Sequence, residues 1–364
     1  MSYIEKFIKN KVFLEKKNLK ISEEELDFLI EVFQESKYLN KKFVQKQLVR
    51  NSISLLDSNY EYDSYAFKYN EENYLLKINE GDEESILENE FEMMNFIKNK
   101  KISSIPIVYE SINLDLKVDI LLFKYEDCFS SDSIPKDIFN FNLSTFANTL
   151  SFLHETRPES SRNEIEDFVI QFEYFLDFQD FLTTEKYIAL SQDKNYIKSG
   201  PIVHSALEFC LEEFNETNYP NYSLCHCDLK PSRVLFREGA YKFINFENSF
   251  FIDPIIDLCL TIFNFGINTN KTNENVFVES YYNSFNLEKP EKNIFIENLE
   301  QAKSKVVKLV LIKNFFDFYM EICVYGYSRP TKFIEFMKKY ESIKEYLTEG
   351  EIKILDDVFY IVKK

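Results

Sequence analysis

The spacing of hydrophobic residues changes twice along the chain, near residue 47 and near residue 132. Upstream of residue 47, apolar residues recur every three to four positions, as in the series Leu26, Leu29, Ile30 and Phe33. Ser22 followed by Glu25 gives the capping-box pattern that starts a helix. The first 46 residues are therefore predicted to be helical.

Short apolar runs separated by polar turns fill the next part of the chain. Runs of this kind, rich in β-branched and aromatic residues, are typical of strands. The predicted strands are 47–57, 65–69, 74–78, 105–108 and 119–125. Between the third and the fourth, residues 83–98 carry apolar positions at helical spacing and predict one helix. Residues 47–126 are thus expected to form a small antiparallel sheet with a helix.

Helical spacing dominates from about residue 132 onwards. Asp253 and Pro254 suit the N-cap and the first position of a helix, and Gly266 suits its end. Further helices are predicted at 142–154, 164–189, 202–215, 273–286, 291–325, 329–346 and 349–362. We therefore expect an α+β protein with a helical N-terminal extension (1–46), a small sheet-containing domain (47–126) and a larger helical domain (127–364).

Composition places the chain among globular proteins, because 45% of its 364 residues are hydrophobic and 29% are charged. The formal net charge of −18 argues against a nucleic-acid-binding protein, which needs a basic surface, and against binding to anionic membranes. The same charge is compatible with a cationic small molecule or a basic protein partner. No run of about 18 apolar residues is present, so we expect no membrane span.

The six cysteines lack the paired spacing of a disulfide framework, and several lie in apolar runs. We therefore expect reduced, mostly buried thiols and a cytoplasmic protein. Cys225, His226 and Cys227 also raise a zinc hypothesis, but adjacent ligands lack the usual two-residue spacer. Buried thiols are the favoured interpretation of these cysteines.

Two polar stretches interrupt apolar runs in the second half of the chain. Residues 226–236 read His-Cys-Asp-Leu-Lys-Pro-Ser-Arg-Val-Leu-Phe, and residues 244–247 read Ile-Asn-Phe-Glu. Residues 253–258 then read Asp-Pro-Ile-Ile-Asp-Leu. A plain core would not tolerate such polar side chains without partners. A His-x-Asp loop, a strand, a tight turn and a second strand with a polar end is how a kinase-like catalytic centre is built.

These motifs resemble those of the aminoglycoside phosphotransferase and choline kinase family. The loop of that family reads roughly His-Gly-Asp-Leu-His-Pro-x-Asn-Val-Leu, its metal-binding strand Ile-Asp-Phe-Glu, and its next motif Asp-Pro-x-x-Asp-Leu. Residues 150–154, Leu-Ser-Phe-Leu-His, look like the helix end Leu-x-x-Leu-His. The resemblance covers about 50–345. It implies a two-lobed protein-kinase-like fold, with a small antiparallel-sheet N-lobe and a large helical C-lobe.

The resemblance also implies ATP as cofactor and roles for individual residues. Asp228 matches the catalytic base that receives the proton of the acceptor hydroxyl. Lys77, near the end of a predicted strand, matches the lysine that contacts the α- and β-phosphates. Glu90 on the following helix matches the glutamate that pairs with this lysine, and Glu88 and Glu92 compete for that role.

Two further segments match regions that contact the nucleotide in the family. Phe123 and Tyr125 fall where the connector between the lobes meets adenine, which backbone groups recognise. The phosphate-covering loop corresponds to 57–64, which contains no glycine and includes the acidic residues Glu61 and Asp63. Backbone amides approach a phosphate most easily where no Cβ intrudes, so this loop weakens the case for a bound nucleotide.

The positions that hold Mg²⁺ in the family are both substituted. Arg233 stands in place of an asparagine, and a guanidinium does not bind a cation. Asn245 stands in place of an aspartate and offers only a neutral carbonyl oxygen, whereas Mg²⁺ prefers carboxylates. Three alternatives stay open: Arg233 replaces the metal on the phosphates, Glu247 or Asp228 holds a relocated ion, or Arg233 pairs with Asp228 and closes the site.

Two functional hypotheses follow. In the first, the protein is a pseudokinase-like binding or regulatory module, since Arg233, Asn245 and the glycine-free loop all affect one mechanism. In the second, it is an active ATP-dependent phosphotransferase that uses Asp228 and a non-standard metal site to phosphorylate a hydroxyl of a small molecule. The partner is a small-molecule substrate or a protein. The sequence leaves its identity and the oligomeric state open.

Overall fold

The structure, a computed structural model, describes part of the chain and falls into two units. The first unit consists of the described residues up to Ser130 together with Arg233–Ser249. The second consists of the described residues within Ser131–Ser232 and Phe250–Lys364. The described residues are 21, 23–43, 53–58, 62–80, 86–103, 106–125, 129–130, 142–158, 164, 167–168, 222–237, 239–286, 289–325, 331–350, 352–353 and 356.

An antiparallel sheet of five strands forms the centre of the first unit. Its strands are Ile53–Ser58 (β1), Asp63–Tyr69 (β2), Glu72–Glu80 (β3), Pro106–Asn113 (β4) and Lys117–Tyr125 (β5). Their order in the sheet is β1-β2-β3-β5-β4. Asn70 and Glu71, with φ of 48° and 65°, form the turn between β2 and β3. Two positive φ values in a two-residue hairpin match the right-handed twist of the flanking strands.

The helices Glu23–Glu35 (α1) and Lys37–Lys42 (α2) cover one face of this sheet. Phe43 packs edge-on against Phe67 of β2 and Tyr74 of β3, at centroid distances of 5.3 and 5.2 Å. Between the helices, Ser36 Oγ donates a 2.7 Å hydrogen bond to Glu110 of β4 and accepts one from the backbone N–H of Leu39. The described part of the N-terminal extension, residues 23–43, is therefore part of the core of the first unit.

The opposite face of the sheet carries the helix Ile86–Ile97 (α3). Its apolar stripe includes Leu87, Met93, Met94 and Ile97, all buried. A short sheet of Phe129–Ser130 (β6), Val234–Arg237 (β8) and Ala240–Phe243 (β9) also belongs to this unit, with the order β6-β8-β9. The turn after β9 reaches Glu247, whose backbone oxygen accepts a 2.9 Å hydrogen bond from Asn89 of α3.

The second unit is mainly helical. The strands Ser223–Cys225 (β7) and Phe250–Ile252 (β10) pair antiparallel. Its α-helices are Leu143–His154 (α4), Pro254–Asn264 (α5), Lys271–Ser284 (α6), Lys292–Tyr325 (α7) and Thr331–Ile343 (α8). Asp253 caps α5 by accepting a 2.7 Å hydrogen bond from the N–H of Ile255, and Gly266 follows with a left-handed φ of 63°.

The expected α+β fold is confirmed, and the predicted elements agree with the structure over the described residues. The connection from β3 through α3 to β4 and the start of α5 at Pro254 both lie where the sequence predicts them. The predicted capping box at Ser22 lies outside the described residues, as do almost all of 164–189 and all of 202–215. Among the described residues, no helix combines the length and apolar character that a membrane span requires.

The two units divide the chain differently from the sequence-based segments 1–46, 47–126 and 127–364, which stay a prediction. The first unit includes both the described helices before residue 43 and the segment Arg233–Ser249. Pairing of β8 with β6 accounts for this placement, because Phe236 lies opposite Phe129 and Leu235 opposite Ser130.

Candidate functional site

Lys77 lies at the centre of a buried polar cluster in the first unit. In the sheet it lies opposite Ser64 of β2 and Leu121 of β5, and only 1% of the residue is exposed. Because side chains alternate along a strand, Lys77 points away from the face that Leu76 and Ile78 present to the aromatic core. The strand register therefore fixes an ammonium group beneath α3.

Of the three candidate glutamates on α3, Glu90 is the one whose carboxylate contacts Lys77. Its Oε2 lies 2.6 Å from Lys77 Nζ, and its Oε1 accepts a hydrogen bond from the backbone N–H of Phe246 at 3.2 Å. Glu88 and Glu92, the two competitors for this role, are exposed on α3. Burial raises the pKa of Glu90, and Glu247 raises it further, against the lowering by the Lys77 ammonium.

Asn245 and Glu247 reach the same cluster from the turn after β9. Asn245 adopts a left-handed φ of 64°, a conformation that asparagine tolerates better than most residues. Its Oδ1 accepts a 3.2 Å hydrogen bond from Lys77 Nζ. The Glu247 carboxylate is buried, with Oε2 at 3.7 Å from the same ammonium. Residues 244–247, which the resemblance aligns with a metal-binding strand, are thus held to Lys77 directly.

Arg233 supplies a second cation. It ends the short 3-10 turn Pro231–Arg233 that leads into β8. Its Nη1 lies 2.8 Å from Glu247 Oε1 and donates to the backbone oxygen of Asn245 at 3.3 Å. Only 12% of the Arg233 side chain is exposed. Glu247, which the sequence suggested as holder of a relocated ion, here holds the guanidinium.

Tyr62 is a member of the cluster that sequence reasoning missed. It belongs to the expected phosphate-covering loop 57–64, of which 59–61 lie outside the described residues, and it is 2% exposed. Its hydroxyl lies 3.2 Å from Glu247 Oε1 and 3.3 Å from Lys77 Nζ. Its ring centroid lies 4.4 Å from the same ammonium, within range of a cation–π contact.

The donor set of this cluster does not fit Mg²⁺. A magnesium site needs hard oxygen ligands in near-octahedral geometry, usually including carboxylates and substrate phosphates. The candidate oxygens here are those of Glu247 and Asn245, and both side chains already face Lys77 or Arg233. A divalent ion at Glu247 would have to displace a guanidinium that is fixed to the chain. The formal charges of the cluster cancel, because it contains two cations, Lys77 and Arg233, and two carboxylates, Glu90 and Glu247.

The two residues expected near adenine lie at the end of β5. Phe123 is buried, and its ring centroid lies 5.8 Å from Lys77 Nζ. Tyr125 ends the strand opposite Asn73 of β3. Both positions therefore belong to the sheet that carries Lys77, which is compatible with recognition through their backbone groups.

The loop that carries Asp228 belongs to the second unit and is fixed by Asp257 of α5. The backbone N–H groups of His226 and Cys227 donate to the two oxygens of Asp257 at 2.8 and 3.0 Å. Cys227, which the resemblance aligns with a glycine, has a left-handed φ of 61°. Asp228 is buried, and Lys230 Nζ lies 3.5 Å from its Oδ2. The loop thus presents the predicted base in a defined position beside a cation.

A buried network continues behind this loop. His154, which ends α4, contacts Asp257 through Nε2 at 3.0 Å and the Tyr281 hydroxyl through Nδ1 at 2.7 Å. Burial opposes ionisation of Asp257, yet the hydrogen bond and charge of His154, aided by His226, lower the pKa of this carboxyl. The network gives the histidine at the end of α4 a structural role, because His154 contacts the carboxylate that holds the loop.

Cys225 also points into this network. Ligand atoms of His154, Cys225 and Asp257 lie within 4.8 Å of one another, which is compatible with a metal site. However, both ring nitrogens of His154 already have hydrogen-bond partners, and burial raises the pKa of the Cys225 thiol well above its usual range. A protonated thiol is a poor metal ligand. The arrangement therefore favours a hydrogen-bonded core, and the ligand atoms that come together are not those of the disfavoured zinc hypothesis, Cys225-His226-Cys227.

No protein-family model matches the sequence, and no curated protein matches it. Solved structures similar to the chain include an amicoumacin kinase in complex with AMP-PNP and Ca²⁺, with a TM-score of 0.54 and 11% identity over 86% of this chain and 95% of that one. Spectinomycin phosphotransferase in complex with ADP and spectinomycin gives 0.52 and 14%, over 86% and 93%. Plasmodium vivax ethanolamine kinase gives 0.57 and 14%, over 95% of each chain. The chain therefore has the protein-kinase-like fold of the aminoglycoside phosphotransferases and of choline and ethanolamine kinases.

Proposed function

We propose that this protein is a pseudokinase-like binding module that does not carry out metal-dependent phosphoryl transfer. The observation that carries the proposal is the contact between Arg233 and Glu247, whose Nη1 and Oε1 lie 2.8 Å apart. In this fold, transfer relies on metal ions that neutralise charge on the phosphates. Here Arg233, which the resemblance assigns to one ligand position, is permanently charged and engages the nearby carboxylate.

The proposed ligand is a small molecule that carries phosphate, with ATP as the first candidate. Two observations support this choice. The solved structures with the same fold include complexes with AMP-PNP and with ADP. The first unit also retains Lys77 and Glu90 in contact, the pair that the resemblance assigns to the phosphates. Buried free thiols at Cys225, Cys227 and Cys259 support a reducing compartment such as the cytoplasm.

An active phosphotransferase is the second candidate, favoured by the preserved loop around Asp228. That carboxylate is held on a backbone that Asp257 fixes through two hydrogen bonds. In such a reaction Asp228 would take the proton of an acceptor hydroxyl while that oxygen bonds to the γ-phosphorus and the bond to the leaving ADP breaks. The acceptor would be a small molecule with a hydroxyl group.

Thermal unfolding with ATP in EDTA, Mg²⁺ or Mn²⁺ tests the proposal. A ligand that binds only the folded state must raise the melting temperature by mass action. We expect any rise with ATP to be the same in all three conditions, and no phosphorylated product. A rise that needs metal would overturn the proposal. ATP consumption that wild type shows and Asp228→Asn lacks would establish the second candidate.

A further inference from the structure

The hydrogen-bond donors of Lys77 are fully used within the first unit. An ammonium has three N–H groups. Lys77 Nζ has three hydrogen-bond acceptors within reach: Glu90 Oε2 at 2.6 Å, Asn245 Oδ1 at 3.2 Å and the Tyr62 hydroxyl at 3.3 Å. A phosphate oxygen can therefore reach this lysine only after one of the three has moved away.

Tyr62 is the acceptor that can leave at the lowest free energy. Glu90 is a buried carboxylate, and removing it would leave an ammonium and a carboxylate without charge partners. Asn245 is fixed by its turn and by the hydrogen bond from Arg233 to its backbone oxygen. The Tyr62 hydroxyl is neutral, donating to Glu247 and accepting from Lys77, so moving it away separates no pair of opposite charges.

The charges of the cluster determine what can replace the hydroxyl. Lys77 and Arg233 are balanced by Glu90 and Glu247, so the cluster has no excess negative charge that would attract a divalent ion. A phosphate oxygen is a stronger acceptor than a phenol for an ammonium donor, because its negative charge adds an ion pair to the hydrogen bond, whereas the phenol oxygen is neutral. Since both carboxylates are already paired with a cation of the chain, this cluster offers a phosphate-bearing ligand two cations and no suitable ligand for its metal.

We infer that the Tyr62 hydroxyl occupies the position at which a ligand phosphate oxygen would accept a hydrogen bond from Lys77. A nucleotide then binds as a metal-free anion by displacing this hydroxyl. This inference rests on the proposed function and adds a residue that sets the affinity. Tyr62 is then an internal competitor of the ligand, supplied by the loop that covers the phosphates in related folds.

The test measures the binding of ATP and of adenosine by calorimetry in EDTA for the wild type, Tyr62→Phe and Tyr109→Phe. Tyr62→Phe keeps the ring and removes the competing hydroxyl. We expect it to bind ATP roughly three- to tenfold more tightly than wild type, the range expected for one net hydrogen bond. Adenosine has no phosphate and should show no such gain. Tyr109 is the matched control, because its hydroxyl contacts Asp119 and Glu88 rather than Lys77.

Equal ATP affinity of the wild type and Tyr62→Phe overturns the inference, as does the absence of ATP binding to both. A gain for adenosine as large as that for ATP also overturns it, since the effect would then not concern phosphate. If thermal unfolding shows that Tyr62→Phe is not folded, Tyr62→Leu is measured instead; it removes the ring contact with Lys77 as well, and it too must bind ATP more tightly than the wild type with no such gain for adenosine. Failure of the proposed function gives a different result. Metal-dependent ATP binding and phosphoryl transfer by the wild type would contradict that function, but they would not make the ATP affinities of the wild type and Tyr62→Phe equal in EDTA.

Discussion

Arg233 and Glu247 form an ion pair of 2.8 Å in which neither side chain has more than 12% of its surface exposed. The carboxylate is held by a cation that belongs to the chain, and that cation cannot be lost to a chelator or exchanged for another. An exposed ion pair would contribute little to stability, whereas removing a single partner of a buried pair strongly destabilises the folded protein. The pair therefore couples the chemistry of the site to the stability of the first unit.

Restoring the family's residues at both substituted positions should create metal dependence. We expect Arg233→Asn with Asn245→Asp to give an additional rise in melting temperature of about 2 °C or more when Mg²⁺ is added to saturating ATP. The physical reason is that a carboxylate replaces a neutral amide and that the competing guanidinium is removed. Thermal unfolding with and without Mg²⁺ measures the effect.

The control for that experiment is Lys124→Asn, which removes a cation from an exposed pair with Glu72 in the same unit. It should show no response to Mg²⁺. A folded double variant that also shows none would mean that Arg233 and Asn245 do not occupy the metal positions assigned to them.

Breaking the Lys77–Glu90 pair on one side should destabilise the protein more than removing both charges. Both side chains are almost fully buried, so Lys77→Met leaves a carboxylate without its cation and should lower the free energy of unfolding by about 3–5 kcal/mol. The double variant Lys77→Met with Glu90→Leu should lose less than the sum of the two single losses. Urea denaturation of the four proteins gives the coupling energy.

Additive losses in this cycle would show that the two residues do not interact in solution. The same Lys77→Met variant should be less destabilised at pH 5 than at pH 8. Burial already raises the pKa of Glu90, and without the ammonium this carboxyl can be accommodated by taking up a proton.

Glycine at position 227 should make the protein more stable than alanine there, which is the reverse of the usual order. Cys227 has a φ of 61°, where a Cβ costs roughly 1–2 kcal/mol. Cys227→Gly and Cys227→Ala both lose the thiol, but only glycine relieves this strain. We therefore expect the glycine variant to be more stable by about 1 kcal/mol in chemical denaturation.

Cys259 provides the matched comparison, since it is a buried thiol within α5 and adopts a helical conformation. There the alanine variant should be the more stable one by about 0.5–1 kcal/mol. The same order at both positions would indicate that the backbone at 227 is not left-handed in solution.

Asp253 should make the protein more stable as the pH falls from about 6 towards 4. Burial raises the pKa of this carboxyl from 3.8 to about 6, so the folded state holds the proton more tightly than the unfolded state over this range. Asp253→Asn keeps an oxygen that can cap α5 and cannot titrate. The stability of the variant relative to wild type should therefore increase by up to about 3 kcal/mol as the pH rises from 4 to 7.

Unfolding free energies of both proteins at several pH values measure this difference. Other carboxyls, including Asp257, whose pKa is shifted the other way, affect both proteins alike and cancel. Parallel pH profiles would show that Asp253 is not a buried titrating group.

Spacing rules were sufficient to predict the order of helices and strands, and the resemblance of the motifs at 226–236, 244–247 and 253–258 implied the fold. Asp253 and Pro254 start α5 as capping preferences require, and Gly266 takes the left-handed conformation expected after a helix. Residues 74–78 do not alternate strictly between apolar and polar side chains, and the structure gives a physical reason. Helices cover both faces of the sheet, so the face that carries Lys77 needs buried residues as much as the face of Tyr74 does.

The choice among three glutamates could have been made from helical spacing. Glu90 lies three residues after Leu87 and four before Met94, in the middle of the apolar stripe of α3. A carboxylate in such a stripe needs a buried cation, which points to Lys77. Tyr62 gave no comparable signal, since its contacts with Lys77 and Glu247 join positions 15 and 185 residues apart.

The first helices have a consequence for any shortened form of this protein. Residues before 47 carry none of the family's motifs, and a protein that starts there would keep every residue assigned to the site. It would also lose Phe33, Leu39 and Phe43, and so uncover the aromatic face of β2 and β3. An exposed apolar surface of this kind promotes aggregation. The first helices carry no motif, yet the sheet that carries Lys77 needs them in order to stay folded and in solution.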